Sequence, residues 1–314
     1  MVSDNQAENS SQITNSLFIN TRFRKPRKPT AFFPWLLMTP SALIVLLVTF
    51  LPIVQAIQLS MYQTIFLERG SYVGFDNYTR FFTADIISIK NVTNTLIFAF
   101  GSLALTFPIA ISLALVLSRA FRGRTVIRTI LILPWVVSQL LSALMWRWVL
   151  SPDIGPIGYW LTIMAGFRFD TLGQVDTAMI GMIVTNVWRT YPYAMILTLA
   201  ALTTIPKELF EAATVDGAGP WQRFVYVTIP MIQSTLLVVL IVLSVNAINM
   251  IELPLILTGG GPVSTTELLG LRVYREAFVL HNLGYASSIA VIMFGINALM
   301  SIAYIRVLRS EIST

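Results

Sequence analysis

The sequence predicts an all-α, polytopic membrane protein with six transmembrane helices, and three observations carry that reading. Of its 314 residues, 55% are hydrophobic and 11% are charged, with a mean hydropathy of +0.73. A water-soluble domain carries about 25% charged residues because its surface must be solvated. Six stretches, about 33–59, 93–117, 126–149, 177–202, 231–257 and 284–307, match the roughly 20 apolar residues a helix needs to cross hydrocarbon. No run of ten-residue segments alternates with period two, which excludes a membrane β-barrel.

Residues 1–30 come first. They are polar and end in Arg22, Arg24, Lys25, Arg27 and Lys28, interrupted by Pro26 and Pro29. The apolar run that follows is too long for a signal-peptide core and lacks a small-residue cleavage site. This segment is expected to be a disordered basic cytoplasmic tail, with the six-helix domain at 31–314.

Orientation follows from the loop cations. With the N-terminus inside, the inner segments hold that cluster together with Arg119, Arg122, Arg124, Arg128, Lys207, Arg223, Arg306 and Arg309. The outer loops hold only Arg69, Arg80, Lys90, Arg168, Arg272 and Arg275. Both termini are therefore expected in the cytoplasm. These cations are dispersed rather than gathered in a stripe, so the net charge of +6 does not point to nucleic acid. The absence of cysteine excludes disulfides, and a single histidine, His281, excludes a His-cluster metal site. No G-x-x-x-x-G-K-[ST] cradle for nucleotide occurs anywhere.

Between the fourth and fifth spans lies a polar hairpin, 203–230. Thr204 is a plausible N-cap, Pro206 fits a first helical turn, and 206–216 favour helix. Gly217 supplies a left-handed stop. Pro220 can open a second short helix running to Pro230. Ala212 and Ala213 leave a low profile for a partner to approach, and Glu211 and Asp216 offer carboxylates to its cations. An amphipathic connector resting on the membrane surface is the plainer alternative.

The spacing Glu211-Ala212-Ala213, three residues, Gly217, nine residues, then Val227-Thr228-Ile229-Pro230 resembles the E-A-A-x3-G-x9-I-x-L-P loop of binding-protein-dependent ABC importer permeases. Val227 stands for Ile and Ile229 for Leu. The stretch Glu211-Ala-Ala-x-x-Asp216-Gly217-Ala218 looks like the carbohydrate branch. Three other segments fit it: Ser71–Tyr78 resembles F-V-G-L-x-N-Y, and Trp146-Arg-Trp148 with Asp153-Ile-Gly155-Pro-Ile resembles the close of the third span. Thr258-Gly-Gly-Gly-Pro262 is similar to the T-x-G-G-P loop of the maltose type, specifically the first subunit of a heterodimeric pair. The resemblance implies the type I importer, or MetI-like, fold in a bacterial cytoplasmic membrane. It implies ATPase coupling through Glu211, Ala212, Ala213, Asp216 and Gly217. It further implies a second homologous permease, two ATPase subunits and a periplasmic or lipid-anchored sugar-binding protein as partners. No cofactor is expected on this chain, and ATP with Mg belongs to the ATPase.

Polar residues inside spans are costly and ask for an explanation. Asn186, Arg189, Thr190 and Tyr193 recur at helical spacing in span four, where Pro192 can loosen the helix. Asn246, Asn249 and Glu252 follow an i, i+3 pattern in span five, beside Ser244. Amide, carboxylate, guanidinium and aromatic groups are the set that binds a sugar. Glue between helices, with Arg189 paired to Glu252, would use the same residues. In maltose-type permeases the matching stretches line the sugar site, which implies Asn186, Thr190 and Tyr193 here, and the segment spanning 246, 247, 249 and 250. This chain departs from that pattern at Arg189, Ala247 and Met250. An ion-coupled carrier would instead need buried titratable groups, for which Arg189 and Glu252 are the candidates. An intramembrane enzyme lacks its motifs: H-E-x-x-H, G-x-S-x-G and a cysteine nucleophile are all missing.

Overall fold

The structure is a computed structural model describing residues 32–66 and 68–312. The basic tail predicted for 1–30 lies outside the described residues. The chain divides into two compact units, the first ending at Ile53 and the second starting at Val54. Helix α1 (Phe32–Leu59) begins in the first unit. Its Leu37–Leu59 stretch is long and apolar enough to span a membrane, and it leaves side chains such as Val48 exposed, as a lipid-facing surface requires.

In the second unit, a β-hairpin of β1 (Tyr62–Ile65) and β2 (Glu68–Tyr72) precedes a short helix, α2 (Asp76–Thr79). Then come α3 (Ile86–Ser118), α4 (Arg124–Val136), α5 (Gln139–Val149), α6 (Pro156–Ala165) and α7 (Val175–Thr203). They are followed by α8 (Lys207–Val215), α9 (Pro220–Arg223), α10 (Ile229–Ile248), α11 (Glu252–Leu257), α12 (Leu269–Tyr274) and α13 (Leu283–Ile312).

Among the described residues four helical stretches, Leu37–Leu59, Ile86–Ser118, Pro220–Ile248 and Leu283–Arg306, are long and apolar enough to span. The count reaches six when the bent pairs α4 with α5 and α7 with α8 are each taken as one span. Two predicted runs depart from straight helices. The run at 126–149 bends by 98° between α4 and α5. Pro134 weakens the end of α4, and Ser138 then caps α5, its Oγ accepting from the Leu141 N–H at 3.3 Å. The run at 231–257 ends as α10 at Ile248 and resumes as α11 at Glu252.

Within the second unit the helices pack around α3 and α7, which lie against each other along their length. Three apolar clusters form the core, one of them gathering Phe81, Ile248, Leu269, Tyr285 and Ile289. Of the other two, one joins Phe98, Ala99, Met182, Ile183, Met250 and Leu253, and the other joins Ala110, Ala114, Ala194, Met195, Leu199 and Val239. Alanine is frequent in both because close approach of backbones drives association where hydrophobicity cannot. Between the two clusters runs a layer of polar side chains.

At the end of the bundle where α3 starts, charged groups are tied together. Asp85 caps α3, its carboxylate accepting from the Ser88 N–H at 3.1 Å and the Ser88 hydroxyl at 2.8 Å. Tyr285 Oη of α13 and Arg272 Nη2 of α12 both donate to Asp85 Oδ2 at 2.8 Å, and Arg272 also meets Glu276 at 2.9 Å. Burial alone would push the Asp85 carboxyl up. The Ser88 and Tyr285 hydrogen bonds, with the Arg272 charge, outweigh it and hold Asp85 at about 2, below its ordinary 3.8. The same three elements carry the segment linking α11 to α13: Asn94 donates to the Ser264 carbonyl at 2.8 Å, and Thr95 Oγ1 accepts from the Leu269 N–H at 2.9 Å.

A group whose folded pKa is depressed stabilises the fold above its unfolded value and loses that contribution as pH falls toward the folded one. Thermal unfolding in detergent should therefore show stability falling between about pH 4 and pH 2 as Asp85 takes up its proton. Asp85→Asn should flatten that part of the profile and lower stability at neutral pH by about 1–3 kcal/mol.

Candidate functional site

The polar layer opens into a cavity of about 470 Å³. Its walls come from α3 (Ser102, Thr106), the bend between α4 and α5 (Trp135, Gln139), α7 (Asn186, Arg189, Thr190, Tyr193), α10 (Asn246) and the break that follows it (Asn249, Met250, Glu252). All seven polar residues singled out in spans four and five reach this one wall. Four come from one face of α7, as helical spacing predicts. Glu252 arrives by a different route: the i, i+3 pattern assumed one continuous helix, and the turn at 249–251 swings it to the cavity instead.

The polar groups divide into those that hold helices together and those left open. Thr190 Oγ1 donates to the Asn186 carbonyl at 2.7 Å and lies 3.4 Å from Thr106 Oγ1, a link between α7 and α3. Asn249 Nδ2 donates to the Val245 carbonyl at 2.8 Å, and Asn297 of α13 reaches Asn249 Oδ1 at 3.4 Å. Gln139 Nε2 donates to the Met250 sulfur, bridging the two bends. By contrast, among the described residues no ion pair joins Arg189 to Glu252. Arg189 Nε and Ser102 Oγ are buried without a protein partner. Six other buried side-chain atoms among the described residues share that condition, Trp146 Nε1 and Arg272 Nε among them.

Sequence reasoning missed Trp135, Gln139, Ser102 and Thr106. Trp135 lies 5.8 Å from the ring of Tyr193 at 38°, two aromatic faces on the cavity wall. Ser102 and Thr106 are four apart in an otherwise apolar span, a signal open to reading. Trp135 and Gln139 lay inside a run taken as one straight helix. At the break, Gly270 of α12 packs against the chain at Met250: a Cβ there would lie 2.7 Å from the Met250 carbonyl oxygen. Glycine is thus required for α12 to cover the interrupted backbone.

At the opposite end of α7 the chain turns by 73° into α8. Thr204 is the C-cap of α7, its hydroxyl donating to the Ala201 carbonyl at 2.8 Å, and Pro206 occupies the N-cap of α8. Thr204 therefore ends one helix rather than starting the next, because its side chain is already bonded backwards. No residue of α8 is buried, and Glu211, Ala212 and Asp216 are exposed with Val215 at 88%. Gly217 has φ +79°, the left-handed stop expected. The second half differs from expectation. α9 passes through a π-turn (Phe224–Thr228), where the Ile229 N–H donates to the Phe224 carbonyl, and continues into α10. Pro230 does not end a short helix, because the wider turn carries the chain past it. The hairpin is one short exposed helix followed by the extended start of a span.

The family model for the binding-protein-dependent transport system inner membrane component matches residues 106–310, which hold most of the cavity wall and the whole hairpin. The chain belongs to this family. It is an ABC importer permease of the MetI-like fold. It is 30% identical over 274 residues to the trehalose/maltose transport system permease protein of Thermococcus litoralis, covering 87% of this chain and 92% of that one. It is 32% identical over 278 residues to the sn-glycerol-3-phosphate transport system permease protein of Rhizobium meliloti, covering 85% and 92%. The fold is similar to a chain of a bacterial ABC transporter involved in import of the acidic polysaccharide alginate, with a TM-score of 0.75 at 24% identity, covering 89% of this permease and 96% of that chain.

Because the Gly217 backbone is left-handed and its surroundings are open, a substitution there acts through strain alone. Gly217→Ala should raise the rate of proteolytic cleavage in the hairpin about fivefold, for a cost of about 1 kcal/mol, and Gly217→Asn should raise it less.

Proposed function

We propose that this permease forms half of a sugar path across a bacterial cytoplasmic membrane and is driven by ATP hydrolysis in a partner chain. The observation that carries the reading is the cavity. Asn186, Arg189, Thr190, Tyr193, Asn246, Asn249 and Glu252 converge on one open cavity between two apolar clusters, with Trp135 beside them. The guanidinium of Arg189 offers donors to hydroxyl or acid oxygens, and Glu252 accepts hydroxyl hydrogens. Trp135 and Tyr193 offer faces to the C–H surface of a ring. Relatives named for trehalose/maltose and for sn-glycerol-3-phosphate support a small polyhydroxylated cargo, neutral or acid-bearing.

The loop cations put both termini and the hairpin in the cytoplasm. There the exposed Glu211, Ala212, Asp216 and Gly217, with the half-buried Ala213, would seat in a groove of the ATPase, two copies of which would serve this chain and a second, homologous permease. A sugar-binding protein would deliver cargo from the other side. Closure of the ATPase pair on ATP would draw the coupling helices together and rock the spans outward, and hydrolysis would reset them. The sharp turn between α7 and α8 favours this, since α7 carries four cavity residues and ends at the hairpin. A movement of α8 is thereby delivered to the cargo wall through one helix.

In the complete importer reconstituted with its binding protein, Asn186→Ala or Asn246→Ala should lower uptake by about tenfold per hydrogen bond lost, with the affinity of the binding protein unchanged. Glu211→Ala should leave ATP hydrolysis no longer matched to uptake, or prevent ATPase association. Normal uptake in all three variants would defeat the assignment. Substrate counterflow by the purified permease alone would establish an ion-coupled carrier in its place.

A further inference from the structure

A second hollow lies on the hairpin side of the bundle. It is a groove of about 1190 Å³ between the last turns of α3, the end of α7 and the hairpin. Its walls are apolar, with Phe107, Ile111, Leu115, Leu202, Phe210 and Phe224 among them. Its rim carries three cations, Arg119, Lys207 and Arg223, and no carboxylate lines it. Of the four hydroxyls on its wall, three are engaged elsewhere, Ser118, Thr203 and Thr228 donating to the carbonyls of Leu115, Ala200 and Arg223, and Ser112 is left open among apolar neighbours. Arg119 and Lys207 make no side-chain hydrogen bond or ion pair among the described residues, and Arg223 reaches only Thr214 Oγ1 at 3.0 Å. From Ile86 to Pro152 the sequence holds no acidic residue at all. The cations at this end of α3 have no local counter-charge.

We propose that this groove holds an anionic phospholipid of the cytoplasmic leaflet, its phosphate between Arg119, Lys207 and Arg223 and an acyl chain along Phe107, Ile111 and Leu115. Three features favour a lipid over a protein edge. The groove lies on the membrane side of the hairpin, its long walls being the ends of two spans. Along α3 its wall runs from Phe107 through Ile111 and Leu115 to Arg119, from mainly apolar to cationic, as an amphiphile with a negative head requires. And clustered Lys and Arg at the cytoplasmic edge of spans attract anionic headgroups, each contributing about fivefold in affinity. The consequence reaches coupling. Lys207 opens α8 and Arg223 closes α9, while Arg119 ends α3, so one phosphate would tie both limbs of the hairpin to a cavity-lining span. Transport would then depend on anionic lipid.

The test uses the complete importer in nanodiscs, titrated with brominated phosphatidylglycerol or brominated phosphatidylcholine. The fluorescence of Trp221, which lines the groove, is taken as the difference between the unmodified importer and Trp221→Phe. Phosphatidylglycerol should quench Trp221 at far lower mole fraction than phosphatidylcholine. Arg119→Gln, a change at an exposed position, should weaken that binding about fivefold, and Arg119→Gln/Lys207→Gln/Arg223→Gln on the order of 100-fold. Equal quenching by the two lipids, or quenching by phosphatidylglycerol that ignores the charge substitutions, would overturn the proposal. So would a Trp221 that neither lipid reaches in the assembled importer, which would mean that a protein subunit covers the groove.

Discussion

Backbone amides in hydrocarbon have no water to bond, so a chain crossing a bilayer can leave its helix only where protein or a wet cavity receives the freed groups. Among the described residues two of the predicted spans of this permease are interrupted, at 137–138 and at 249–251, and residues at both breaks line the same cavity. Much of the arrangement follows. Gly270 must be glycine so that α12 can cover the second break. α12 is in turn held by Arg272 on Asp85 and by the Thr95 bond, so the charged cluster at that end helps to keep the interrupted backbone covered. The apolar cluster around Phe98 and Met250 lies against it, and the one around Met195 and Val239 lies on the other side of the polar layer.

The division of labour among polar groups has an energetic logic. A hydrogen bond between helices in a membrane stabilises modestly, and an unpaired group in hydrocarbon costs several kcal/mol. Thr190, Thr106 and Asn249 are bonded to protein and act as glue. Arg189 and Ser102 keep atoms unpaired on the wall, and Glu252 stays exposed within it. A purely structural polar layer would have paired Arg189 with Glu252, and the two remain apart.

The six apolar runs were legible because length and hydropathy suffice for a span, and the hairpin was legible because Gly217 and the E-A-A spacing are local features. The polar residues of α7 were legible because one helix face repeats in sequence. What sequence reading could not reach were the bends. Pro134 marks a weak point but not a 98° turn, since a proline inside a membrane helix is often tolerated. Trp135 and Gln139 therefore went unnoticed, and Glu252 reached the cavity through a turn rather than the helical spacing ascribed to it. Pro230 misled in the opposite direction, because a π-turn before it lets the helix continue. The union of Asp85, Arg272 and Tyr285 joins positions nearly 200 residues apart, 187 for the first pair and 200 for Asp85 with Tyr285, and no local pattern announces it.

The central claim is that the two helix breaks and the polar face of α7 line a water-filled path. The chain contains no cysteine, so single cysteines report without background. In the complete importer, Asn186→Cys, Asn246→Cys and Asn249→Cys should react with a membrane-impermeant thiol reagent and be protected by transported substrate. Val238→Cys, on the exposed apolar face of α10, should not react. Reaction at position 238 equal to that at the cavity positions, or no reaction at any of the three, would contradict the account.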